Sequence, residues 1–352
     1  EGLRYVSEPV VTVAVAPEEV RELPLFDKVI RKLTLEDPNL RFTFNKESGE
    51  YLLSGMGELH LEITAYRMQE AGLRVKISKP IVIYRETISH DYTGPPIMGK
   101  SPNKHNRLWI TLEKLPEEVI EAIRQGKVSE MLGRDERRKI LSKEFGWETE
   151  DARNVAAIEE TNILVNRIKG KQFVEEVLDH IKSGFREAVH TCILAEEPAR
   201  GLKVNIEDIQ VHEDPVHRGP AQILPMTWRP IWCCFLLSEP KLLEPIISFE
   251  CKVPNEFVSP VLTTIQKRRG RILEMPTEED MIIIKAEMPV AESFGLADEL
   301  RSSTQGRAFW ATQFSHWATL PESLQPMVVE EIRKRRGLSP RPPRAEDFYE
   351  EE

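Results

Sequence analysis

The sequence predicts a multidomain α+β protein in which two ferredoxin-like βαββαβ domains flank an α/β domain with a helical insertion. Three observations predict it. Strand and helix periodicities follow one another as β-α-β-β-α-β between Val10 and Ile77. The same order recurs between Ile247 and Trp317 without an obvious sequence repeat. At 352 residues the chain exceeds one ordinary domain, and roughly 160 residues of mixed pattern lie between the two copies.

The first copy opens with Val10–Val15, a strand by its β-branched content. Pro24 can start a helix, and Phe26, Val29, Ile30 and Leu33 recur at i, i+3, i+4 and i+7 on one face. Asp37-Pro38-Asn39 stops that helix, since proline and the residue before it both resist the α conformation. Arg41–Phe44 alternates as a strand, Asn45–Glu50 is a turn, and Tyr51–Leu53 returns. A second helix follows with Leu59, Ile63 and Tyr66 expected on its inner face, and Val75–Ile77 closes the unit.

In the middle block, Leu108–Leu112 and Val204–Val211 read as strands. The charged stretch from Pro116 to about Gly170 reads as helical. Phe173, Val177, Ile181, Phe185 and Ala188 then continue a helical face. In the second copy Ile247, Phe249, Cys251 and Val253 alternate with polar residues as a half-buried strand. Val258, Leu262 and Ile265 mark a helix, Arg271–Met275 and Met281–Met288 are strands, and Arg307–Trp317 is the last strand. Ser293 is expected to cap the intervening helix, with Leu296 and Leu300 inside it. The tail offers a short basic helix, Met327–Arg336, stopped by Gly337, and then a loosely ordered, Pro-rich, acid-ended run, Leu338–Glu352.

Composition excludes several classes. No apolar run reaches the length of a membrane span. Glu1–Arg4 has no leader pattern, and the missing initiator Met is expected of a fragment. The four cysteines include the adjacent Cys233 and Cys234 and make no C-x-x-C pair, which fits a reducing, cytoplasmic setting. Net charge is −10, unlike the basic footprint of a general nucleic-acid binder.

Gly94–Ser101 matches the pattern G-x-x-x-x-G-K-[ST]. A working phosphate loop needs successive backbone N–H groups at a helix N-terminus. Pro95 and Pro96 have none to give, and Pro102 follows where that helix should run, so the match is rejected. Lys100–Arg107 is a basic turn without an acid, able to solvate a surface or to meet phosphate and base edges. His212–Pro220 is a stiff loop after a strand. His212, Asp214 and His217 there form a second candidate, for zinc or acid–base chemistry, but zinc wants three or four ligands and a supporting shell. Nor does a nucleophile accompany His217. Lys267, Arg268, Arg269 and Arg271 end a helix and suit either its negative terminus or a phosphate backbone. Trp228, Trp232 and Phe235 read as packing residues.

Ser54–Glu62 is similar to a stretch shared with bacterial elongation factor G. Ser101–Arg107, His217–Gln222, Glu292–Gly295, Arg301–Thr304 and His316-Trp317 resemble the archaeal and eukaryotic elongation factor 2 family, and the resemblance runs end to end. It implies domain III at 1–79, a tRNA-mimicking tip domain IV at 80–242, domain V at 243–320, and a tail, 321–352, packed back on domain IV. It implies that a GTPase domain and a barrel, holding GTP and magnesium, precede Glu1. The fragment itself would then hold no catalytic residue and no cofactor or metal. His217 would match the histidine converted to diphthamide by its synthesis enzymes. Lys104, His105, Asn106, Arg107, Arg218 and Gly219 would meet RNA at the tip. Lys267, Arg268, Arg269 and Arg271 would face ribosomal RNA. The implied partners are the ribosome, with its A-site tRNA and mRNA, and the missing GTPase half, and no membrane. A splicing-type paralogue that does not translocate is the alternative in the same fold. Thr227–Cys234 departs from the family, whose members run through two Arg and small residues here. One Arg is lost, and Pro230 would kink a helix if it lay deep within one.

Overall fold

The computed structural model describes residues 6–46, 48–169 and 175–352. Glu1–Arg4, Glu47, Gly170 and Phe173 lie outside the described residues. The chain divides into two units: one combines Ser7–Tyr84 with Leu243–Thr319, the other Arg85–Leu242 with Leu320–Glu352.

β1 (Val11–Pro17), α1 (Leu23–Glu36), β2 (Arg41–Asn45), β3 (Glu50–Gly55), α2 (Glu58–Glu70) and β4 (Val75–Ile77) form a sheet in the order β2-β3-β1-β4, with β5 (Ile81–Val82) pairing on β1. All these neighbours run antiparallel. Pro24 sits in the first turn of α1, and Phe26, Val29, Ile30 and Leu33 are its buried face. The Asp37 carboxylate takes the Asn39 N–H at 2.9 Å and ends it. The face of α2 differs from expectation. Leu61, Thr64 and Met68 are buried, while Leu59, Ile63 and Tyr66 stand 62%, 51% and 60% exposed. His60 sets this rotation: its Nδ1 takes the Met56 N–H at 2.9 Å and its Nε2 meets Asp37 at 2.7 Å. That draws the neighbouring Leu61 inward and leaves the apolar stripe outside.

The α/β unit begins with β6 (Arg85–Ile88), β7 (Ile97–Lys100) and β8 (Arg107–Lys114). The helical insertion is α3 (Glu117–Arg124), α4 (Arg134–Phe145) and α5 (Thr149–Arg153). It does not continue to residue 170. Val155–Glu159 and Asn162–Asn166 are strands β9 and β10, a hairpin turning at Glu160. Their short β-branched runs sit inside a charged stretch, and a long averaging window hides them. Then come α6 (Glu175–His190), β11 (Leu202–Gln210) and α7 (Pro220–Leu236). The sheet order is β7-β8-β11-β10-β9, with β10 parallel to β11. The insertion closes its own apolar core around Val119, Ile123, Leu141, Ile163 and Val165.

β12 (Pro240–Pro254), α8 (Val258–Lys267), β13 (Arg271–Glu274), β14 (Thr277–Glu278), β15 (Met281–Pro289), α9 (Leu296–Ser303) and β16 (Phe309–Thr319) repeat the first topology, in the order β13-β15-β12-β16. Val261, Thr264 and Ile265 are the buried face of α8, so Val258 and Leu262 lie to its side. Ser293 does not cap α9. Its hydroxyl donates to the Val290 carbonyl at 2.7 Å, closing a turn before the helix, and Gly295, with φ of 76°, takes the cap position. A left-handed residue there favours glycine.

The tail helix α10 (Gln325–Arg335) stops at Gly337. The run after it is ordered, contrary to expectation. Ala345 and Phe348 are buried against Cys233, Trp232 and Leu236. The Arg229 guanidinium covers the Phe348 ring at 5.1 Å and donates to the Asp347 carbonyl at 3.1 Å. Apolar residues in a Pro-rich tail are enough to dock it when an aromatic shelf is offered.

Candidate functional site

Two loops leave adjacent strands. Residues 101–106 join β7 to β8, and residues 211–219 join β11 to α7. β8 and β11 are antiparallel neighbours with Arg107 opposite Gln210, so the loops start side by side. Side-chain amides then tie them together. Asn103 Nδ2 and Asn106 Nδ2 both donate to the His217 carbonyl, at 2.7 and 2.8 Å. Asn106 Oδ1 takes the His212 N–H at 2.9 Å, and Gln222 Oε1 takes the Asn103 N–H at 2.8 Å. Ser101 Oγ braces the first loop from within, taking the Asn106 N–H at 3.0 Å.

Three imidazoles meet above this brace. The ring centroids of His105, His212 and His217 lie 5.1, 4.8 and 4.5 Å apart, tilted or edge to face. His105 and Lys104 are exposed and His217 partly so. Lys104 projects from a left-handed backbone with φ of 64°. Neither Lys104 nor Arg107 has a carboxylate partner among the described residues. The second loop is shaped locally: the Asp214 carboxylate takes the Val216 N–H at 3.0 Å, and His212 Nδ1 takes the Asp214 N–H at 3.0 Å. Gly219 caps α7, accepting at 3.0 Å from the N–H groups of Gln222 and Ile223.

The expected contact residues therefore divide. Lys104, His105 and His217 gather at one surface, with Arg107 half-buried at the foot of β8. Asn106 is wholly buried and works as the brace. Arg218 also turns inward. Its Nη1 donates to the carbonyls of His212 and Glu213 at 2.9 and 3.0 Å, because these two carbonyls of its own turn lie within reach. Both thus differ from exposed contact residues. The basic end of α8 divides in the same way. Arg268 is held by Glu299 at 2.6 Å and by the Phe294 carbonyl at 2.8 Å, and Arg269 pairs with buried Glu244 at 2.8 Å. Lys267 and Arg271 keep side chains 70% and 74% exposed, each with one surface carboxylate beside it.

The helix behind the second loop is not visible to residue preference. α7 runs through Pro225 and Pro230, each of which removes one backbone bond. A Cβ on Gly99 of β7 would lie 2.1 Å from the Met226 carbonyl and 2.7 Å from the Pro230 ring. The bare backbone of Gly99 is what admits a proline in the helix interior at close range. Trp228 and Trp232 stack with centroids 6.0 Å apart, and Trp232 meets Phe348 edge on at 6.1 Å. The helix is signalled only by Gly219-Pro220, a cap followed by a first-turn proline. The Gly94–Ser101 run forms a bend and then β7, and a loop follows it rather than a helix. No group of His, Cys, Asp or Glu among the described residues is arranged to hold a metal ion.

Comparison with known proteins finds three family matches along the chain. Residues 6–79 match the family described as Elongation Factor G, domain III, residues 126–239 match Elongation factor G, domain IV, and residues 241–337 match Elongation factor G C-terminus. Elongation factor 2 of Ignicoccus hospitalis is 47% identical over 351 residues, covering 99% of this chain and 47% of the relative. That of Aeropyrum pernix is 47% identical over 350 residues with the same coverage. That of Methanopyrus kandleri is 43% identical over 352 residues, 28% of its length. The chain thus spans about half, or less, of the length of these curated relatives.

Proposed function

The chain belongs to the family of translation elongation factors G and 2, and from that premise we propose that it is the ribosome-binding half of a GTP-dependent factor that promotes translocation of tRNA and mRNA. In this reading the paired loops enter the ribosomal A site. The observation that carries it is the clamp between them: two loops more than a hundred residues apart in sequence act as one surface bearing Lys104, His105 and His217. Positive charge without a carboxylate partner suits phosphate, and clustered imidazoles suit the sugar and base edges of an RNA helix. A surface built this way reads shape rather than base identity, as movement along any codon requires. Lys104 and His105 are the proposed contacts. Arg107 stands behind them, and Asn106, Arg218 and Gly219 hold their geometry. His217 is the proposed diphthamide position, modified by the corresponding synthesis enzymes. Lys267 and Arg271 are the groups left to meet ribosomal RNA.

GTP and magnesium would belong to a preceding GTPase domain. Within this chain the phosphate-loop-like run Gly94–Ser101 does not fit a nucleotide, since its glycine is pressed against α7 and its lysine donates to the Glu351 carbonyl. Free, buried cysteines support a cytoplasmic setting. No helix among the described residues is long and apolar enough to cross a membrane. A metal or acid–base enzyme at His212, Asp214 and His217 is disfavoured, because His212 Nδ1 and Asp214 Oδ1 are taken up by the turn itself. The test is replacement of elongation factor 2 by the full-length protein in reconstituted archaeal translation. Advance of the ribosome by one codon is expected. A protein that does not advance ribosomes would instead fit the splicing-type paralogue.

A further inference from the structure

We infer that the enzyme that modifies His217 reads the two loops as one folded surface, in which Asn103 is the residue that positions His217; this rests on the reading of His217 as the modified residue. Local bonds shape the turn around His217, but the His217 carbonyl itself is met from the other loop. Pro215–His217 is a single tight turn closed by the His217 N–H on the Asp214 carbonyl at 3.1 Å, and Val216 points outward, 82% exposed. The fixing comes from 114 and 111 residues away, where Asn103 and Asn106 place an amide each on the His217 carbonyl. A carbonyl oxygen has two lone pairs, and both are occupied. The peptide plane after His217 is therefore set, and with it the direction in which the imidazole leaves the backbone. The ring is then confined between His212 and His105, with centroids at 4.5 and 4.8 Å, and His105 belongs to the other loop. An enzyme reaching a ring atom of His217 must share its footprint with Lys104 and His105. An extended peptide carrying the same local sequence presents none of this.

Asn103 allows the idea to be separated from simple loop stability, because its two ends do different work. Oδ1 serves its own loop, accepting from Ser101 Oγ at 2.6 Å and from the His105 N–H at 3.1 Å. Nδ2 alone crosses to His217. Asn103→Asp keeps the first set and sets an oxygen against the His217 carbonyl. Asn103→Ala loses both.

The experiment is to produce the full-length protein in an archaeal host and follow the mass of the His217 peptide over time, with the thermal midpoint as a check on folding. Asn103→Asp and Asn103→Ala are both expected to gain the added mass about tenfold more slowly, the effect of one lost and one opposed polar contact. Val216→Ala, inside the local sequence, is expected to match wild type. His105→Ala, at an exposed position, is expected to be slowed while folded, and serves if the Asn103 variants do not fold. Folded Asn103→Asp or His105→Ala modified at the wild-type rate would overturn the composite surface. A wild-type chain that never gains mass at His217 would overturn the modification reading itself, a result visible without any variant.

Discussion

Lys104 combines exposure, a left-handed backbone and no carboxylate partner among the described residues. For a residue with a Cβ that conformation costs roughly 1–2 kcal/mol. Strain held at an exposed basic position fits a residue kept for contact rather than for stability. Lys104→Gly should therefore leave thermal stability unchanged or raise it by about 1 kcal/mol. The same variant should weaken ribosome association at all mRNA sequences and lower its log–log salt slope by about 1. An unchanged slope in a salt titration would exclude a phosphate contact. At this scale the sequence located the loops but not their facing. Basic groups without an acid marked Lys100–Arg107 as a turn, and two prolines and a glycine marked His212–Pro220 as a stiff, exposed loop. Nothing in one dimension distinguishes Arg218, folded back on the carbonyls of His212 and Glu213, from His217 beside it. Arg268 and Lys267 present the same ambiguity: both reach Glu299, and Arg268 is held further by the carbonyls of Glu292 and Phe294. Asn106 was legible as polar and loop-borne, yet its burial depends on a loop more than a hundred residues away.

At the scale of elements, the second loop is only as steady as α7, which packs on α6, β7, β8 and the tail. β7 reaches it through Gly99, and the tail reaches it through Phe348 and Ala345. Phe348→Ala should cost about 3 kcal/mol in the urea unfolding of this unit. It should also speed amide exchange along Trp228–Leu236, where the aromatic shelf lies. Unchanged exchange there would separate the tail from the helix. The amphipathic helices α1 and α6 were readable because their burial follows their own periodicity. α2 was not, because His60 and Asp37 choose its rotation over the apolar stripe. The β9–β10 hairpin was lost in its charged surroundings. α7 was hidden by its two internal prolines, one of which, Pro230, packs against a glycine in another element.

Across the whole molecule, the two ferredoxin-like topologies were legible from alternating and helical periods alone, and the α/β unit only in outline. One charge network ties the helical insertion to its sheet. Lys203 Nζ reaches Asp151 at 2.6 Å and Glu113 at 2.9 Å, and Arg167 spans both carboxylates. Burial pushes both carboxyls up, but hydrogen bonds and charge from Lys203 and Arg167 outweigh it and hold each below its ordinary value of 3.8 or 4.5. Depressed acids stabilise the fold fully above their unfolded values and lose that contribution as pH falls through the folded ones. Acid should therefore weaken the unit carrying this network as pH drops below about 4.5. Lys203→Met should lower its stability by about 3 kcal/mol at neutral pH and flatten the acid limb. Denaturant midpoints measured against pH check both. The net charge of −10 limits non-specific binding, against which Lys104 stands as an exposed cation. The most direct measurement is single-turnover translocation by the full-length protein with Lys104→Ala and His217→Ala combined, read beside ribosome-stimulated GTP hydrolysis. The account predicts translocation slowed at least ~tenfold with hydrolysis held within about twofold; translocation at the wild-type rate would contradict it.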